Sequence, residues 1–264
     1  MLLTRRGAMT GAAALTTLKI SGVKAMATEE GSSKNRSSAV HCNIVCVPDM
    51  VQLDATGPFE VLARVPGWSV ELVAESMQPV MTDRGLRLVP DATRSESKKS
   101  DILVIPGGTG IDVAMLDPVW IEYVRREAAG ARYVFGVCTG SLLLGAAGLL
   151  KGRRSGGHWQ ARDLLASFGA IVSDDRLTVD GNLYTSGGVT SGIDMALRVV
   201  ADAAGEIVAR KIQLAIEYDP APPFPGGTPR SSPKEIVDLV LDDSKGRRAL
   251  RERRVEQAAA RLLE

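Results

Sequence analysis

Short, nearly continuous apolar runs alternate with longer stretches in which apolar residues recur at helical spacing. Residues 41–48 predict a first strand, and the turn at 49–57 leads into a helix with Pro58 in its first turn. Phe59, Val61, Leu62 and Ala63 give that helix an apolar face, and Pro66-Gly67 stops it. Residues 68–74 alternate as a second strand, and 80–90 predict a short hairpin or strand excursion. Residues 101–105 form a continuous apolar strand ending in Pro106-Gly107-Gly108. A helix over 111–130 is broken at Asp117-Pro118. The run 132–137 predicts a strand that stops at Cys138, where a Leu/Ala-rich helix begins at once and ends near Gly148.

Gly157-His158-Trp159 leads into a helix over 160–168 with Gly169 as its stop. Residues 171–172, 177–179 and 182–185 predict strands, the last ending at Ser186-Gly187-Gly188. Residues 190–204 predict a helix capped by Thr190 or Ser191, and 206–218 another. The Pro- and Gly-rich segment 219–229 is loop, and 232–264 read as a charged amphipathic helix or pair of helices.

Apolar strands alternating with helices predict a mainly parallel sheet covered on both faces. In such α/β folds the site lies at the carboxyl ends of the strands. Three strand ends carry suggestive residues: Gly107-Gly108, Cys138-Thr139 and Gly187-Gly188. Asp54 follows the first strand, so all four are expected to converge on one crevice.

Composition narrows this picture little. At 264 residues, 45% hydrophobic and 24% charged, the chain suits one sizeable globular domain. A net charge of +1 points to no nucleic acid or anionic surface. Its distribution says more. Residues 1–27 hold Arg5, Arg6, Lys19 and Lys24 and no acid, while the remainder is net acidic. Arg5-Arg6, a weakly apolar stretch and Ala25-Met26-Ala27 predict a twin-arginine (Tat) export signal at 1–27 and a periplasmic protein. If this extension is not a working signal, the protein is cytoplasmic. The stretch is too short to span a bilayer and no later segment is apolar enough to cross one, so no lasting membrane association is expected after its removal. Residues 28–39 read as a flexible linker, 40–229 as the main domain and 230–264 as a helical extension.

Cys42 and Cys46 lie about 13 Å apart along a strand, whereas a disulfide needs Cα atoms within ~7 Å. They read as core residues. Two histidines and these cysteines do not supply a metal-ligand pattern, so no metal is expected.

The corner at Cys138 admits two readings. A buried structural cysteine is one. The other is a nucleophile, its sulfur near the first free N–H groups of a helix, where the thiolate is favoured. Gly107 and Gly108 allow backbone N–H groups close to a bound atom, or simply a tight turn. Asp54 reads as a helix cap or as a carboxyl facing Cys138, its pKa raised so that it donates protons. His158 reads as a general base for Cys138 or as a structural helix-start residue.

These motifs together resemble the DJ-1/PfpI superfamily, specifically its isonitrile hydratase branch. The resemblance rests on Asp54-Ala55-Thr56-Gly57-Pro58-Phe59-Glu60, Ile105-Pro106-Gly107-Gly108, Val137-Cys138-Thr139-Gly140-Ser141, Gly157-His158-Trp159 and the run 185–194. The stretch 213–224 is the more specific pointer to the hydratase branch. It spans about residues 42–229. It implies a flavodoxin-like, doubly wound α/β/α sandwich that forms a homodimer, with Cys138 as nucleophile, Asp54 as acid and base, and no cofactor. Gly107, Gly108, Thr139 and His158 would then contact substrate. The implied reaction adds water to a small-molecule isonitrile and gives an N-substituted formamide through a cysteine thioimidate. Ser155-Gly156-Gly157 departs from relatives, which carry small hydroxyl residues there, often threonines.

Two other classes share the sandwich. One is the ligand-sensing half of AraC-type transcription regulators, whose DNA-binding domain would not fit into the 40 residues after Phe224. No nucleic-acid partner is therefore expected. The other is a redox or stress protein in which Cys138 is only oxidised.

Overall fold

The computed structural model describes residues 39–262. The expected export signal and most of the expected linker lie outside the described residues. In chain order the first elements are β1 (Val40–Val45), α1 (Gln52–Leu62), β2 (Trp68–Ala74), β3 (Val80–Met81), β4 (Arg87–Leu88) and β5 (Ala92–Thr93). Next come β6 (Ile102–Ile105), α2 (Ile111–Ala114), α3 (Pro118–Gly130), β7 (Tyr133–Val137) and α4 (Gly140–Ala146). Then follow β8 (Arg154–Ser155), a 3-10 helix (Arg162–Phe168), β9 (Ile171–Val172), β10 (Leu177–Asp180) and β11 (Leu183–Ser186). The chain closes with α5 (Ser191–Ala204), α6 (Glu206–Ala215) and α7 (Lys234–Ala260).

Seven strands form the central sheet in the order β10-β11-β7-β6-β1-β2-β5. All neighbours run parallel except β10 against β11. The sheet is therefore mainly parallel, as the unbroken apolar runs require. Every residue of β1 and β6 is buried, because helices cover both faces of these central strands. One helical layer joins α1, α5 and α6, and the other joins α2, α3, α4 and α7.

Several local expectations change. Helix α1 starts at Gln52, so Pro58 lies inside it rather than in its first turn. Asp54 is thus a first-turn helical residue, and its side chain caps nothing. The break at Asp117-Pro118 is present: the Asp117 side chain accepts the Val119 N–H, and Pro118 opens α3. The helix expected over 160–168 is a 3-10 turn starting at Arg162, stopped by Gly169 at φ 77°. Neither Thr190 nor Ser191 caps α5 by accepting an N–H. Instead the Ser191 hydroxyl donates to the Gly188 carbonyl. The C-terminal extension is one helix of 27 residues.

That extension docks on the domain. Ser244, Arg251, Val255 and Ala258 are buried along one face of α7. Gln160 Nε2 donates to Ser244 Oγ at 2.8 Å, and Arg248 grips the Asp163 carboxylate through both Nη groups at 2.8 and 2.6 Å. The charged residues of this amphipathic helix are therefore exposed over only part of its circumference. Among the described residues no helix is long and apolar enough to cross a membrane.

Candidate active site

Cys138 sits between β7 and α4 with φ at 58°. A side chain in this left-handed region costs roughly 1–2 kcal/mol. Backbone bonds on both sides hold the corner: Cys138 N–H donates to the Ser186 carbonyl at 3.2 Å, and His158 N–H donates to the Cys138 carbonyl at 3.0 Å. Directly after it, Gly140 presses against the end of β6. A Cβ there would lie 2.0 Å from the Ile105 carbonyl oxygen, so only glycine lets α4 start so close.

The loops after β1 and β6 are clamped together. Val51 N–H donates to the Gly107 carbonyl at 2.9 Å, and Met50 and Gly108 form a β-bridge. This brings α1, and Asp54 with it, under the Gly107-Gly108 turn. Gly107 N–H donates to Asp54 Oδ2 at 2.8 Å, and Gly108 N–H donates to Thr139 Oγ1 at 2.9 Å. Both glycine N–H groups thus bind groups of the protein itself. Asp54 Oδ1 is buried and accepts no N–H or O–H. The Cys138 thiol lies beside the same carboxyl, close enough that each group shifts the other's pKa.

Burial sets the electrostatics of this pair. Asp54 is fully inaccessible to solvent, and its pKa is pushed up from the usual carboxylate range to about 7. Removal from water is the largest cause, and the Gly107 N–H and the Cys138 thiol pull the other way. The Cys138 thiol is held well above its ordinary value, first by burial and then by the charge of Asp54. The Thr139 N–H and the positive charge of Arg251 oppose this. The thiolate expected from the helix N-terminus is therefore not the resting form. A seven-residue helix cannot offset the desolvation of the sulfur. The pair rests with the proton on sulfur, beside a carboxyl whose raised pKa of about 7 lets it both accept and return protons near neutral pH.

Among the described residues the His158 ring makes no hydrogen bond to Cys138. Burial, aided by Arg251, Arg247 and Arg162, pushes it down to about 4, so it is neutral at pH 7. Its Nδ1 accepts the Gln160 N–H at 3.3 Å, which assigns the proton to Nε2. A neutral ring of this kind can donate a hydrogen bond to a ligand.

Cys138, Thr139, Gly108 and His158 line one cavity of about 330 Å³. Asp83 and Arg84 reach it because the β3–β4 hairpin is tied to the β1 loop: Asp49 N–H donates to the Met81 carbonyl, and Asp83 N–H to the Met50 carbonyl. Arg247 and Arg251 of α7 complete its wall. Those two arginines were missed by the sequence reading. Their spacing of four places them on one helical face, which is the signal that would have found them. Among the described residues no group of three or more His, Cys, Asp or Glu side chains is gathered for a metal ion. Cys42 and Cys46 are free and buried in the core, where both thiols are pushed up to about 12, chiefly by desolvation.

A model of the DJ-1/PfpI family matches residues 41–202. The isonitrile hydratase of Pseudomonas putida is 43% identical over 224 residues, covering 85% of this chain and 98% of that protein. The HTH-type transcriptional regulator CdhR of Pseudomonas aeruginosa is 31% identical over 136 residues, 51% of this chain and 40% of the regulator. Among solved structures, a ThiJ/PfpI family protein from Pseudomonas syringae superposes with a TM-score of 0.80 at 35% identity, covering 84% of this chain and 91% of that one.

Proposed function

The chain belongs to the DJ-1/PfpI family, and on that premise we propose that it hydrates isonitriles, with Cys138 as nucleophile and Asp54 as the acid and base. The observation that carries the chemistry is the buried Cys138 thiol beside the Asp54 carboxyl at a left-handed strand-to-helix corner. The likeness to isonitrile hydratase over nearly that protein's whole length supports the substrate class.

In this mechanism Asp54 accepts the thiol proton as sulfur bonds to the terminal carbon of R–N≡C. Asp54 then gives that proton to the same carbon, leaving the thioimidate R–N=CH–S–Cys. A water attacks the CH carbon with Asp54 as base, and the nitrogen takes up the proton. Collapse expels the sulfur, which recovers its proton through Asp54, and releases R–NH–CHO. The Thr139 N–H points at the sulfur and steadies its charge while the proton is on Asp54. A neutral His158 Nε2–H is suited to hydrogen-bond the nitrogen as it gains electron density. The reaction is a carbon–nitrogen hydro-lyase step and the sequence of events needs no cofactor.

The test is turnover of a panel of alkyl isonitriles by purified protein, read as formamide formation. Cys138→Ala and Asp54→Asn are expected to abolish it, and full turnover by Cys138→Ala sinks the mechanism. A redox-sensing role has less support. It calls for an exposed, readily ionised thiolate, whereas Cys138 is 5% exposed and its thiol is held high.

A further inference from the structure

The cavity contains more positive charge than hydration of a neutral isonitrile uses. Arg247 and Arg251 lie one helical turn apart on α7 and both face it. Arg251 is 6% exposed, and its Nε donates to Asp112 Oδ1 at 2.7 Å. Its two Nη groups have no hydrogen-bond partner among the described residues. Arg247 has no carboxylate within ion-pair distance among the described residues, whereas the adjacent Arg248 is bound to Asp163 and Glu252. The other charged pair at the cavity, Asp83 and Arg84, is matched internally at 3.3 Å. The exposed Arg247 guanidinium and the Arg251 Nη groups therefore keep N–H donors free for an anion that enters the cavity.

A guanidinium presents parallel N–H groups that fit the plane of a carboxylate. The volume of about 330 Å³ admits only a small molecule. We propose that the substrate is a small isonitrile bearing a carboxylate, bound through Arg247 and Arg251 with its isonitrile carbon at Cys138. This rests on the hydratase reading and specifies its substrate class. The two arginines touch the part of the substrate that does not react, and so act on binding and orientation.

The experiment compares kcat/KM for an isocyano carboxylic acid, its methyl ester and its phosphonate analogue. Wild-type protein is expected to favour the acid over the ester by about tenfold or more, the size of one charge-assisted hydrogen bond. Arg247→Gln, on the exposed side of α7, is expected to cut that acid-to-ester ratio about tenfold, and Arg247→Lys to restore part of it. Arg251→Gln with Asp112→Asn, which keeps the buried pair neutral, is expected to lower the ratio as well. Equal kcat/KM for ester and acid in the wild-type protein, or a ratio unmoved in Arg247→Gln, overturns the carboxylate assignment and leaves the hydratase reading standing. Preference for the phosphonate also overturns it. Absence of turnover with every isonitrile, neutral ones included, overturns the hydratase reading and this inference with it.

Discussion

Asp54 Oδ2 accepts the Gly107 N–H at 2.8 Å, and the same carboxyl faces the Cys138 thiol. One backbone donor therefore fixes the orientation of the only acid beside the sulfur among the described residues. The price in stability depends on pH, and its sign follows from the shift. The folded-state pKa of about 7 lies above the unfolded value of 3.8, so between these values the folded protein holds the extra proton. The stabilisation from protonated Asp54 is complete below pH ~4 and is lost as pH rises through ~7.

Asp54→Asn keeps an acceptor for Gly107 and removes the charge. Urea unfolding is expected to show the variant more stable than wild type at pH 8, by a few kcal/mol. The gap should close as pH falls toward 4. A gap that widens toward acid pH would show that the carboxylate is stabilised, not strained, by its site.

Gly107 is pinned between the two sides of the site. A Cβ there would lie 2.6 Å from the Thr139 backbone nitrogen, 2.7 Å from Thr139 Oγ1 and 2.8 Å from Asp54 Oδ2. Gly107→Ala must push Asp54 or the Cys138–Thr139 corner aside, and displacements near 1 Å cost on the order of a hundredfold in rate. Isonitrile kcat/KM is expected to fall by about that factor with the circular dichroism spectrum unchanged. Retention of wild-type kcat/KM in a folded variant would mean that the Gly107 contact does not position Asp54.

The sheet and the strand-end residues were legible in the sequence because they are written locally. Residues 101–105 and 132–137 are apolar on both faces, and Gly107 and Cys138 stand directly at their ends. The start of α1 was less legible. Proline inside a helix lacks an N–H for the carbonyl four residues earlier, here that of Asp54, and so it imitates a helix start. The protonation state of Cys138 was misread as thiolate from the helix start that follows it. It depends on desolvation by β11, the His158 turn and α7, which meet only in three dimensions. Arg251 shows the same limit: its partner Asp112 lies 139 residues away in sequence. In a helix so rich in Lys, Arg, Asp and Glu, the buried positions 244, 251, 255 and 258 are diluted by charge all round.

Among the described residues the Arg251–Asp112 pair is the one buried ion pair between α7 and the domain, at 2.7 Å and with side-chain exposures of 7% and 2%. Burial pushes the Asp112 carboxyl up, against the pull of Arg251. A buried pair of this kind adds little net stability when intact, but losing one partner strands the other's charge. Arg251→Ala is therefore expected to destabilise the protein by about 3–5 kcal/mol. Arg251→Met combined with Asp112→Leu is expected to recover most of that loss, because no charge is left unpaired. Urea unfolding of the two variants and wild type measures both effects. Equal destabilisation by the single and the double change would show that α7 is held by shape at this point and not by charge. Recovery of stability without recovery of activity in the double variant would place the cost of this buried pair in the service of the cavity that Arg251 lines.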